Sequence, residues 1–170
     1  MNGNFEQCLA LVLKSEGGFV DNPKDPGGMT NLGVTKAVWE AYIGREASEQ
    51  EMRDLGPLDV APLYRKRYWD LAMCEDMPAG VDYCVFDAAV NSGVSQSIKF
   101  VQRALDVVID GVIGPQTLGA IRQRDTEELI EQICEERLQF LQSLRTWPTF
   151  GNGWSNRVTS VQQNALKMLA

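Results

Sequence analysis

The chain has 170 residues, 44% of them hydrophobic, with 16 basic and 23 acidic side chains, a formal net charge of -7 and no histidine. Without an imidazole there is no Ser-His-Asp triad, Cys-His pair, His-ligated zinc or HExxH helix, so acid-base chemistry near neutral pH falls to Glu, Asp, Lys, Tyr or Cys. The length suits one domain, or one domain with a small appendage, and is sufficient to bury a real core.

Phe5, Cys8, Leu9, Val12 and Leu13 recur at helical spacing and predict an amphipathic helix over 5–15, stopped by Gly17-Gly18. Residues 19–35 are rich in Asp, Asn, Pro, Gly and Thr, and read as a structured loop or one short hairpin turning at Gly27-Gly28. Thr35 has the character of an N-cap for a helix to about Tyr42, and Ser48 with Glu51 has capping-box spacing for a short second helix. In 59–69 Val60, Leu63, Tyr64 and Tyr68 share a helical face, and 79–91 is the most apolar helix candidate, central to the core.

A further helix is predicted over 95–105, then a turn at Asp110-Gly111 and a helix starting with Pro115 at its first position. Two longer helices are expected over 126–144 and 155–168, separated by a loop from Trp147-Pro148 to Gly153. No strand-length alternation stands out. The fold class is therefore all-α, with one short hairpin near 19–35. The expected organisation is a first region over 1–93 and a second helical region over 94–170 packed on it as one compact unit, since neither has enough core to stand alone.

Six of the 23 acidic residues lie in 125–136, which has no base, so the remainder of the chain is close to neutral. A solvated helix face accounts for that segment. There is no basic stripe of the kind nucleic acid requires, so no nucleic-acid partner is expected. Cysteines 8, 74, 84 and 134 show no CxxC spacing and read as buried free thiols. The longest apolar run, 8–13, is far short of the ~18 residues of a membrane span, and no signal-peptide pattern is visible. The expectation is a chain made in the cytoplasm without a signal peptide and without stable membrane insertion.

The segment Ser15-Glu16-Gly17-Gly18 carries the sharpest chemical signal. Glu16 falls in the last turn of a helix, where the negative end of the macrodipole disfavours an ionised carboxylate, the direction an acid catalyst needs. The two glycines leave backbone uncovered beside it. Glycoside hydrolysis needs one carboxyl to protonate the leaving oxygen and a second to stabilise the sugar cation or activate water. Asp21 and Asp25 supply candidates for the second. By spacing alone, a solvated helix-end Glu beside loop aspartates is the simpler account.

The motifs change that weighting. The run SEGGFVDNPKDPGGMTNLGVT at 15–35 resembles the signature of glycoside hydrolase family 108, the N-acetylmuramidase or secretion activator family. The resemblance continues through YRKRYWD at 64–70, VFDAAVNSG at 85–93 and DGVIGPQTLGAI at 110–121, the last similar to a type 3 peptidoglycan-binding region. It implies a lysozyme-like helical domain and a muramidase cleaving the β-1,4 bond between N-acetylmuramic acid and N-acetylglucosamine, with bacterial peptidoglycan as partner and no metal or cofactor.

The family's catalytic Glu falls on Glu16. Phage-type lysozymes carry an Asp nine residues after that Glu and a Thr soon afterwards. Glu16 and Asp25 reproduce the first spacing, and Thr30 comes one residue short on the second, with Thr35 as competitor. Asp25 and Thr30 would then hold the attacking water, or Asp25 would serve as nucleophile, with Asp21 as a weaker alternative. Tyr68 and Trp69 are candidates for stacking on sugar rings, although such a pair on a helix also suits a core. Asn91 is a candidate for a substrate acetamido group. DGVIGPQT has a turn-and-helix explanation that needs no ligand. A lytic transglycosylase and a non-catalytic peptidoglycan-binding or secretion-associated module are the competing readings. An endolysin of phage or prophage origin, released through holin pores, reconciles a missing export signal with a substrate beyond the inner membrane.

Overall fold

A computed structural model describes residues 3–24 and 28–170. It is mostly α-helical, as the apolar periodicity predicts, with one small three-stranded antiparallel sheet. Packing divides the described residues into two compact units, Glu6–Arg67 and a second that joins residues 3–5 to Tyr68–Ala170. No helix among the described residues is long and apolar enough to cross a membrane.

In the unit Glu6–Arg67, α1 (Phe5–Glu16) buries Cys8, Leu9, Val12 and Leu13 along the face set by their spacing. It ends where Gly17 takes φ +79, its N–H reaching Leu13 O at 3.3 Å. The expected single hairpin is in fact three short strands, β1 (Val20–Asp21), β2 (Met29–Asn31) and β3 (Val34–Thr35), in the order β1-β2-β3. Strands of two or three residues are too short to display an alternating pattern. Asn31 fixes the sheet to its surroundings: its buried amide donates to the carbonyls of Met52 at 2.8 Å and of Arg53 and Leu55 at 3.3 Å. These carbonyls lie at the end of the helix over 49–54, where the intrahelical ladder runs out.

Thr35 caps α2 (Lys36–Ile43) by accepting from Val38 N at 3.1 Å, and Ser48 caps α3 (Glu49–Asp54) by accepting from Glu51 N at 3.1 Å. The Glu51 carboxylate pairs with Arg45 at 3.0 Å, so the Ser48 cap makes one arm of the anticipated box. Helix α4 (Pro57–Tyr64) starts on Pro57 and gives way to a π-helical turn, Arg65–Trp69. That turn shifts the phase of the buried face by one residue, so Trp69 is buried where uninterrupted α-periodicity predicts Tyr68.

The second unit is organised around α5 (Val81–Ser92), in which every residue from Val81 to Ala89 is buried. Helices α6 (Val94–Leu105), α8 (Thr126–Gln142) and α9 (Trp147–Lys167) pack against it, and α7 (Pro115–Gln123) packs on α6. Full burial of a side chain such as Phe86 stabilises by about 1.5–3 kcal/mol. Two charges on α5 are buried as well. Asp87 accepts from Arg137 at 2.7 Å and from Arg157 at 3.1 Å. Burial raises the carboxyl of Asp82 above its ordinary range, against the hydrogen bonds from Asn4, Tyr83 and Gly80.

The predicted loop 147–153 is instead the start of α9. Pro148 stands in the first turn, where its missing N–H costs nothing, and the Trp147 indole lies on Gly151, so that glycine serves close packing rather than a break. The four cysteines are buried. Cys84 and Cys134 bring their sulfurs to 3.9 Å, and that contact together with burial pushes the Cys84 thiol upward.

Candidate active site

Glu16 is the final residue of α1 and is half-buried. On one side the backbone is open, since a Cβ on Gly17 or Gly18 would meet nothing within 4 Å. On the other it is enclosed by the β2–β3 turn. Leu32 and Gly33 both have positive φ, +52 and +76, the requirement of a two-residue type I′ hairpin turn. A Cβ on Gly33 would lie 2.6 Å from the Tyr64 hydroxyl and 2.9 Å from Glu16 Oε2. Only glycine fits there, by conformation and by space.

The turn is held from α4. Tyr64, buried, donates its hydroxyl to Leu32 O at 2.6 Å, which helps to offset the cost of a leucine in the left-handed region. The glycosidase candidate, the turn and the phenol are thus one packed cluster contributed by α1, β2–β3 and α4. Gly33 and Tyr64 were absent from the sequence-derived site. The signal for Gly33 was the Leu-Gly pair inside MTNLGVT, while Tyr64 has the spacing of an ordinary core residue.

The sheet register sorts the remaining candidates of this unit. Thr30 pairs with Val20 on one side and Thr35 on the other, whereas Asp21 pairs with Met29. Directly opposed residues share a face and neighbours alternate, so Thr30 and Thr35 lie on one face and Asp21 on the other. Thr35 Oγ1 is engaged as the α2 cap. Asp25 lies outside the described residues.

The other candidates belong to the second unit. Trp69 is fully buried, donates Nε1 to Glu75 at 3.0 Å and packs edge-on against Phe5 and Phe86, with ring centroids 5.4 and 5.3 Å away. It has no exposed ring face for a sugar. Tyr68 is half-buried. Asn91, at the end of α5, accepts from Arg137 Nη2 at 3.1 Å and is thereby oriented by the Asp87–Arg137 pair. In DGVIGPQT, buried Gln102 accepts from Asp110 N at 3.1 Å and Gly111 N at 2.9 Å and donates to Asp110 Oδ1 at 2.8 Å. Bonds from Val112 N and Gln102 hold the Asp110 carboxyl below its usual range. The motif therefore has a structural role in shaping the approach to α7.

The family model described as Glycosyl hydrolase 108 matches residues 9–93, which include Glu16, the sheet, Tyr64 and α5. A second, described as "Predicted Peptidoglycan domain", matches 96–159. The seam between these matches lies at the α5–α6 junction, whereas packing divides the chain after Arg67. Among curated proteins nothing matches. Among solved structures the chain is similar to Brucella abortus SagA, with a TM-score of 0.84 and 41% identity over 98% of this chain and 95% of that one. A family match over half the chain that takes in the Glu16 cluster, and a likeness to a solved structure over nearly its full length, place the chain in the glycosyl hydrolase 108 family, a peptidoglycan-associated glycosidase family.

Proposed function

We propose that the protein is an N-acetylmuramidase that cleaves the β-1,4 bond between N-acetylmuramic acid and N-acetylglucosamine in peptidoglycan, with Glu16 as general acid. The observation that carries this reading is the Glu16 carboxyl at an open di-glycine edge, backed by the Leu32-Gly33 turn and the Tyr64 hydroxyl. A bulky polymer reaches the carboxyl from the open side, and the packed side holds its geometry. Glu16 protonates the glycosidic oxygen as the bond to the muramic acid C1 breaks, a second carboxylate supports the positive charge developing on the sugar, and water bonds to C1, giving up a proton to a carboxylate of the pair.

Asp25 is the proposed second carboxylate and Thr30 its partner in holding water. Asp21 is the weaker choice, because it stands on the opposite face of the sheet from Thr30. The experiment is mass spectrometry of cell wall digested by the wild type and by Glu16→Gln, which keeps shape and removes the acid. Reducing muramic-acid ends from the wild type, with the variant slower by about 10²–10⁴-fold, is the expected outcome. A 1,6-anhydro product would assign a lytic transglycosylase instead, and equal digestion by both proteins would remove Glu16 from the chemistry.

A further inference from the structure

The start of α9 carries an aromatic cluster that the Glu16 chemistry does not use. Trp147 and Trp154 have ring centroids 6.2 Å apart at 42°, and Phe150 and Trp154 are 5.5 Å apart at 32°. Phe150 is 52% exposed, and both tryptophans are half-buried. The cluster is built by the backbone: a Cβ at Gly151 would come within 2.6 Å of the Trp147 indole, so this ring is seated flat on a glycine. A large exposed phenylalanine beside two tryptophans is unnecessary for the core, whose stripe on this helix continues through Val158, Val161 and Ala165.

The same end of the unit presents a polar group. Gly80, just before α5, faces Ala165 O, and Asp87 farther along α5 binds Arg157, so α5 and α9 run antiparallel. From that ion pair, Asn91 lies roughly 6 Å along α5 and Trp154 about 4.5 Å along α9, in the same direction. Asn91 and the aromatic cluster therefore share one end of the helix pair. Arg137 holds the Asn91 side chain from within the core. Gly93 and Gly153, also at this end, have open space where a Cβ would stand.

We propose that this end of the α5–α9 pair is a carbohydrate site for the glycan strand, separate in sequence from Glu16. Exposed Phe150, with the half-buried tryptophans beside it, stacks on the apolar face of an N-acetylated hexosamine, and Asn91 hydrogen-bonds its acetamido group. The faces of aromatic rings suit the apolar face of a neutral sugar ring better than a charged stem peptide. The rings fall within 96–159, the stretch that matches a peptidoglycan domain. The site rests on the proposed glycan substrate, and it assigns residues beyond the Glu16 cluster that recognise it.

The test is calorimetric titration of the full chain carrying Glu16→Gln, so that nothing is turned over, with a peptide-free N-acetylglucosamine tetramer. Adding Phe150→Ala or Trp154→Ala weakens binding about tenfold, with thermal unfolding as the control for folding. Phe150 is exposed enough that its variant folds even where Trp154→Ala does not. Asn91→Ala abolishes the preference for the tetramer over an unacetylated glucose tetramer. Unchanged affinity in a folded Phe150→Ala protein, or binding of a free stem peptide at the rings in place of the sugar, overturns the site. A wild type that binds through these rings and never cuts cell wall supports the site and contradicts the muramidase reading alone. One that cuts while the ring variants bind normally contradicts the site alone.

Discussion

The two units hold their structure in different ways. In Tyr68–Ala170, α5 is buried along nine consecutive residues, and its Asp87 pairs with buried Arg137 and with partly exposed Arg157. In Glu6–Arg67, α1 and α4 bury an apolar face, but α2 has no buried residue, the strands are two or three residues long, and the turn beside Glu16 is shaped by specific contacts, among them a glycine, a phenol and the Asn31 amide. Distributed burial makes the first robust. In the second, a Cβ added at Gly33 would stand 2.9 Å from the carboxyl that the proposed chemistry depends on. Substitutions in the α5 unit should therefore register mainly as stability, and those near Glu16 mainly as activity.

The sharpest way to break this contrast is Asp87→Ala. Arg137, only 2% exposed, would lose its carboxylate partner inside the core, and denaturant unfolding should show a loss of about 3–5 kcal/mol. A loss under 1 kcal/mol would mean that burial around α5 does not depend on the pair. Next in size is Gly33→Ala, which puts a Cβ against Tyr64 and Glu16 at φ +76. A cost of about 1–3 kcal/mol is expected, with wall-clearing activity falling far more than stability accounts for. Normal activity in a folded Gly33→Ala protein would separate the turn from the site.

Tyr64→Phe removes only the hydroxyl that holds Leu32 O, and should cost about 1 kcal/mol in thermal unfolding together with a several-fold loss of rate. The smallest effect concerns Asp82, whose carboxyl is raised by burial. A raised carboxyl contributes stability that is complete below the ordinary range near 3.8 and is lost as pH rises through the folded value. The stability of Asp82→Asn relative to the wild type should therefore increase with pH across that window. A difference independent of pH would contradict the burial argument.

Most of the helices were legible because apolar spacing and capping residues act locally: Thr35, Ser48 and Pro115 mark helix starts in the sequence and stand at helix starts in the structure. The start of α9 was not legible, because Gly151 as a seat for Trp147 looks the same in one dimension as a glycine that ends a helix. The π turn that exchanges Tyr68 for Trp69 in the core leaves no periodic trace either. At the site, Glu16 was visible from Glu-Gly-Gly, but the Gly33–Tyr64 clamp was not. It joins residues 31 positions apart through a backbone carbonyl and a van der Waals limit, neither of which spacing encodes.

The central claim is that Glu16 is the acid of a peptidoglycan glycosidase, and the most direct measurement is the rate at which purified cell walls release new reducing ends with the wild type and with Glu16→Gln at matched folded concentration. A loss of about 10²–10⁴-fold with unchanged thermal unfolding is the predicted result. Equal rates from the two proteins would contradict it.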